Sequence, residues 1–325
     1  MPSLGEWRVP PDVEPRAENY GYNLREALDS VVAIKATIPE DAFTADILGT
    51  ERSGNGVVIR GDGVILTIGY LVTEAETIWL TTNEDRVIQG HVLGYDHETG
   101  FGLVQALGSL DLPRLSLGRA AEAKVGARVV AAGAGGAEHS VAAFVAARQE
   151  FAGYWEYVLE EAIFTVPAHP YWGGTALIGP SGDLIGIGSL QLQQTREDGS
   201  GAPLNMFVPI DLLDPILDDM LTIGRPNHPP RPWLGLYAAD SDDGIVVAGV
   251  AGRGPAARAD IRMGDVVLSV GHTKIDSLAA FFRAIWSQGE AGVDVPMKLL
   301  RKGRVVDINV RSGDRYSFLK GPRLQ

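Results

Sequence analysis

The chain has 325 residues, enough for two domains of ordinary size, with 45% hydrophobic and 21% charged residues. A net charge of −13 disfavours nucleic acid and anionic membrane surfaces, since both demand clustered Lys and Arg. The absence of cysteine excludes disulfides, thiolate metal sites and a cysteine nucleophile.

No apolar run approaches the ~20 residues of a membrane span, so membrane insertion is not expected. Met1–Tyr20 is acidic and proline-bearing, without the basic start and apolar stretch of a secretory signal. The expectation is a cytoplasmic protein as written, or a periplasmic one from which a leader has been removed.

Residues 1–22 read as an extended arm, because Pro10, Pro11 and Pro15 block a helix. A short helix is predicted from Asn23, a plausible N-cap, through Leu28. From Val31 to about Leu192 short β-branched runs follow one another: 31–38, 56–68, 77–82, 86–95, 102–107 and 127–134. Gly61-Asp62-Gly63 is a hairpin signal, and a second hairpin joins 175–179 to 183–190 through Pro180-Ser181-Gly182. Residues 151–164 read as a further strand pair with Glu160 and Glu161 exposed. Many short strands with almost no helix argue for an all-β sandwich or barrel. A closing helix is predicted over Ile210–Leu221, with Gly224 beyond its end.

Residues 224–232 carry four prolines in nine positions and read as a stiff linker. A smaller α/β module is predicted over 233–313. It has strands at 244–250 and 265–271, an amphipathic helix over 276–289 capped by Asp276 or Ser277, and a hairpin across Lys302-Gly303. The division is therefore an arm (1–22), a β domain (23–223), a linker (224–232), an α/β domain (233–313) and a tail (314–325).

The second module resembles a bacterial PDZ domain, through Trp233-Leu234-Gly235-Leu236, Gly254-Pro255-Ala256-Ala257 and Met263-Gly264-Asp265-Val266-Val267. The resemblance implies that a peptide adds as a strand to the sheet edge. Backbone N–H groups around Gly235 would hold its terminal carboxylate, with Gly235 allowing close approach. Leu234, Leu236, Phe282 and Ile285 are candidate pocket walls, and Trp233 a candidate rim contact.

The first region resembles the trypsin-like domain of HtrA/Deg proteases, through residues 53–67, 92–106, 112–133, 179–190 and 204–210. The resemblance implies a double β-barrel and trimers built through N-terminal segments, for which Trp7 and Tyr20 are candidate contacts. The family's catalytic positions fall on other residues. Tyr70 stands for the histidine, Gly100 for the aspartate, and Gly173 for the serine, or Trp172 if the register slides by one. Tyr171 and Trp172 replace small residues of the oxyanion loop. A hydroxyl nucleophile needs an oriented base, and neither glycine supplies a side chain.

Other candidates are weaker. Asp96 and His97 read as loop surface, His169 as a loop residue or a ligand contact on the cleft's rim, and Ser181 as a turn residue. The aromatics of 169–172 could fill the former cleft. No two histidines have the i, i+4 spacing of a helical metal site, so neither metal nor cofactor is expected. Gly133–Ala137 lacks the Lys and Ser/Thr of a phosphate loop. The expectation is a mainly β chain, a trypsin-like double barrel followed by a PDZ domain. Its expected role is that of a non-enzymatic scaffold or adaptor binding peptides or protein C-termini. The alternatives are an active serine endopeptidase with an unorthodox site and a regulatory subunit of an active paralogue.

Overall fold

The computed structural model describes residues 7–195 and 201–321, so Met1–Glu6 of the arm and 322–325 of the tail lie outside the described residues. The chain divides into two compact units. The first comprises residues 1–149, 161–227 and 320–325, and the second Glu150–Glu160 with His228–Leu319.

In the first unit six strands close a barrel: Val31–Thr37 (β1), Glu51–Val58 (β2), Val64–Ile68 (β3), Thr77–Thr81 (β4), Val87–Tyr95 (β5) and Phe101–Ala106 (β6), ordered β1-β2-β3-β6-β5-β4. Six more close another: Arg128–Ala132 (β7), Ser140–Gly153 (β8), Tyr157–Val166 (β9), Ala176–Ile178 (β10), Leu184–Thr195 (β11) and Gly201–Pro209 (β12), ordered β10-β11-β12-β9-β8-β7. Counted from its own first strand, each barrel has the same order, although the sequence carries no detectable repeat. Closure removes the unpaired edges that short strands would otherwise expose. Ile34, Ile65, Leu66, Leu80 and Leu103 are buried in the first barrel, and Val130, Leu177, Ile187, Met206 and Phe207 in the second.

The predicted first helix forms at Leu24–Asp29, and the Asn23 side chain accepts from the Glu26 N–H as its cap. The arm is not wholly extended: Ala17–Asn19 forms a 3₁₀ turn. Its hydrogen bonds from Val9 N–H to the Glu138 carbonyl and to Val13 from Ala142 N–H tie it to the second barrel. The closing helix departs from expectation. Ile210–Leu212 forms a 3₁₀ turn, and the α-helix occupies only Leu217–Ile223. Pro215 lies between them and cannot donate into a continuous helix. Gly224 ends the helix in the left-handed region, at φ 77°.

In the second unit one sheet runs β13-β14-β15-β17-β18: Leu236–Ser241 (β13), Gly244–Val250 (β14), Val266–Val270 (β15), Asp294–Arg301 (β17) and Arg304–Arg311 (β18), with Thr273–Lys274 (β16) on β15. Lys302 and Gly303 both take positive φ in the two-residue turn between β17 and β18. The helix Leu278–Trp286 is capped by Ser277, whose hydroxyl accepts from Ala280 N–H at 3.3 Å. It buries Leu278, Phe281, Phe282 and Ile285. Asp265, at the start of β15, receives two hydrogen bonds from Arg301 on β17, at 2.7 and 2.6 Å.

The tip of the β8–β9 hairpin also belongs to this unit. Val158 is 8% exposed and joins the cluster formed by Leu234, Leu236, Phe282 and Ile285.

Candidate functional site

Tyr70 lies in a 3₁₀ turn, Gly69–Leu71, directly after β3. The turn is held from two sides. Gly69 N–H donates to the Gly100 carbonyl at 2.6 Å, and Arg52 donates to the Tyr70 carbonyl at 2.8 Å. The Tyr70 hydroxyl donates to the Ser189 carbonyl at 2.9 Å, and burial pushes its pKa above the ordinary tyrosine value. A β-carbon on Gly173 would lie 2.8 Å from that hydroxyl. The structure thus brings Tyr70, Gly100 and Gly173 together, with Gly173 facing the Tyr70 hydroxyl and the Trp172 side chain hydrogen-bonded to Tyr70.

The loop before Gly173 rests on two buried amides that sequence reading missed. Asn55 donates its N–H to the Gly173 carbonyl at 2.8 Å and its side-chain amide to the Tyr171 carbonyl at 3.0 Å, and accepts from Ala134 N–H at 3.0 Å. Asn205 accepts from His169 N–H at 2.6 Å and donates to the His169 carbonyl at 3.1 Å. Both are fully buried, where an unpaired amide would cost about 1–3 kcal/mol.

His169 is not a rim residue: it is 1% exposed. Its Nδ1 accepts from Tyr171 N–H at 3.0 Å, so the proton sits on Nε2, which donates to the His139 carbonyl at 2.9 Å. Burial pushes its pKa down to about 4, opposed by these backbone partners. Trp7 packs on it with ring centroids 4.9 Å apart, and Tyr20 packs on Tyr22 at 5.4 Å, so both arm aromatics proposed for trimer contacts have partners within the chain. Asp96 also departs from expectation. It is 3% exposed because its carboxylate accepts from the Glu98 and Thr99 N–H groups and the Thr99 hydroxyl.

The second unit contains a different site. The backbone N–H groups of Leu234, Gly235 and Leu236 converge on one carboxylate, that of Glu156 at the hairpin tip. One oxygen accepts from all three, at 3.2, 2.7 and 2.9 Å; the other accepts from Leu234 at 3.1 Å. Glu156 is 7% exposed with φ 59°. The hydrogen bonds it accepts act against the roughly 1–3 kcal/mol of backbone strain at a left-handed residue. Burial pushes the carboxyl pKa up; the three N–H groups and the Arg315 charge act against it.

Of the predicted peptide contacts, Leu234, Leu236, Phe282 and Ile285 come together in one buried cluster. Trp233 is no rim residue: it is 7% exposed, its ring 4.8 Å from that of Phe318. Gly235 has φ 76°, and a β-carbon there would meet the Trp233 ring at 3.1 Å. Its glycine is required by the turn itself as well as by any ligand.

A trypsin-like peptidase domain model matches residues 54–187 and a PDZ domain model matches residues 232–311. A DegP-like protein of Halomonas elongata, named as a periplasmic serine endoprotease, is 29% identical over 281 residues, 82% of this chain and 58% of its own length. The serine endoprotease DegS of Haemophilus influenzae is 26% identical over 273 residues, 82% of this chain and 78% of its own. Among solved structures, a variant of the HtrA-type protease AlgW with a tripeptide matches with a TM-score of 0.55 at 22% identity, covering 93% of this chain and 99% of that one. The chain spans little more than half the length of the first curated relatives it matches, 58% and 55%.

These relatives correct one expectation. Tyr70, Gly100 and Gly173 led to the reading of a protein that is not an enzyme. The proteins it resembles are named serine endoproteases, and nothing in the comparisons marks inactivity.

Proposed function

We propose that this chain, which belongs to the HtrA/Deg family of trypsin-like domains joined to a PDZ domain, binds peptides that end in a free carboxylate. The observation that carries this reading is the convergence of the Leu234, Gly235 and Leu236 N–H groups on one carboxylate within 3.2 Å. Three preorganised donors recognise an anion, and the Arg315 charge adds to them. Leu234, Leu236, Phe282 and Ile285 then supply the apolar contacts. The AlgW variant is a solved structure with a tripeptide, which supports peptide binding in general. The test is binding of a labelled peptide with a free C-terminus against the same peptide as its amide. Equal affinity for the two would overturn the reading.

A second reading is endoproteolysis, favoured by the names of the relatives. Its peptide-bond chemistry would use groups other than the family's Ser-His-Asp, an unorthodox site, since Tyr70 and Gly173 face each other where that triad would stand. Casein turnover sensitive to a fluorophosphonate supports it, and insensitivity argues for a different nucleophile. The relatives' periplasmic names support a periplasmic location, which fractionation of the source cells tests.

A further inference from the structure

The three features by which a PDZ groove would hold a peptide are all engaged by one internal segment. The Glu156 carboxylate accepts from Leu234, Gly235 and Leu236, where a terminal carboxylate would sit. The Tyr154 carbonyl accepts from Ala238 N–H at 2.9 Å, on the β13 backbone that an added strand would pair with. Val158 is buried in the cluster of Leu234, Leu236, Phe282 and Ile285. Glu150 and Glu160 flank the segment and pair with Arg283 of the helix Leu278–Trp286, at 2.5 and 2.7 Å. These pairs are solvated and add orientation more than energy.

We infer that the hairpin tip Tyr154–Val158 is a built-in ligand of this PDZ groove, displaced by peptides that end in a free carboxylate and an aliphatic residue of about valine size. The inference rests on the peptide-binding reading above. Charge and shape together define the competitor: it must replace the Glu156 carboxylate and the Val158 side chain at once. A docked tip weakens apparent affinity by the fraction of molecules in which the groove is open. If docking is favoured tenfold or more, removing its carboxylate tightens peptide binding by at least that factor.

The experiment uses the full chain and fluorescein-labelled Tyr-Trp-Ala-Tyr-Val, as free acid and as amide, followed by anisotropy. Glu156→Ala is expected to bind the free acid at least tenfold tighter than the unaltered chain, with the amide weak on both. Equal affinity of the two proteins for the free acid overturns the built-in ligand while leaving peptide binding intact. No binding to either folded protein overturns both. Glu156→Ala leaves three buried N–H groups unpaired, so a second measurement uses the unaltered chain. Hydrogen exchange under saturating free-acid peptide is expected to show residues 154–158 losing protection. Retained protection while the peptide is bound overturns the inference independently of any variant.

Discussion

The β-carbon that Gly173 lacks would lie 2.8 Å from the hydroxyl of Tyr70. That hydroxyl is fixed by its hydrogen bond to the Ser189 carbonyl at 2.9 Å. Gly173→Ser therefore overpacks the contact and is expected to destabilise the first unit by about 1–3 kcal/mol. Tyr70→Phe alone loses about 1 kcal/mol with its hydrogen bond. The double variant should recover most of the Gly173→Ser loss, because the Tyr70 ring carbon is 3.6 Å from the added atom, an ordinary contact. A double-mutant cycle by denaturant melts measures this; additive effects would sink it.

His169 gives the first unit a pH dependence with a definite sign. Its folded pKa, about 4, lies below the ordinary histidine value near 6.5. The unfolded chain thus binds the proton first as pH falls. Stability from this group is fully present above about pH 6.5 and is lost progressively as pH falls toward 4. His139, in the turn Ala137–His139 between β7 and β8, accepts through its carbonyl from His169 and is also pushed down by burial, so it is the control. His169→Gln should flatten the dependence over this window more than His139→Gln does. Nitrogen NMR should find the proton on Nε2 at neutral pH; a proton on Nδ1 would contradict the Tyr171 hydrogen bond.

Period and turn chemistry made much of the fold legible. Many of the runs that became strands are short and β-branched, and Lys302-Gly303 announces its hairpin, but most of Ser140–Gly153 (β8), long and rich in alanine, gave no such signal. The closure of two barrels with one topology is not a local property, and the family resemblance supplied it. The site was legible only where its residues are neighbours. Leu234–Leu236 could be read as a carboxylate nest, and three motifs pointed to Tyr70, Gly100 and Gly173. Glu156 could not be found, since 78 to 80 residues separate it from the N–H groups it meets and no spacing rule links them. Asn55 and Asn205 were missed for a related reason. An amide inside a strand looks unfavourable until the loop it satisfies is in place. Pro215 was the opposite case, a local signal that breaks the helix predicted over Ile210–Leu221.

Asp265 and Arg301 join β15 to β17, with Asp265 1% exposed. Burial works against the carboxylate, but Arg301 and the Arg262 N–H outweigh it and hold its pKa below the usual range. Arg301→Met leaves that charge buried without its partner and should cost the second unit about 3–5 kcal/mol. Hydrogen exchange at Val266–Val270 reports it. The depressed pKa means that this stability is present above the unfolded aspartate value near 3.9 and is lost as pH falls through the folded one. A variant with unchanged exchange would show that the pair is replaceable.

Gly235 and Gly264 offer a matched comparison. Both have positive φ, 76° and 88°, but a β-carbon on Gly264 meets nothing within 4 Å, whereas on Gly235 it meets Trp233 at 3.1 Å and Ala251 at 3.2 Å. Gly264→Ala should therefore cost only the left-handed backbone term, about 1–2 kcal/mol. Gly235→Ala should cost more, because the Trp233 ring must also shift. The shift acts on the turn that aims three N–H groups at one point, so carboxylate binding should weaken as well. In Glu156→Ala, which frees the nest, Gly235→Ala is expected to lower affinity for a free-acid peptide at least tenfold, about 1.4 kcal/mol. Gly264→Ala in the same background should leave that affinity unchanged. Equal losses from both substitutions would mean that peptide binding tracks the stability of the second unit and not the geometry of its three N–H donors.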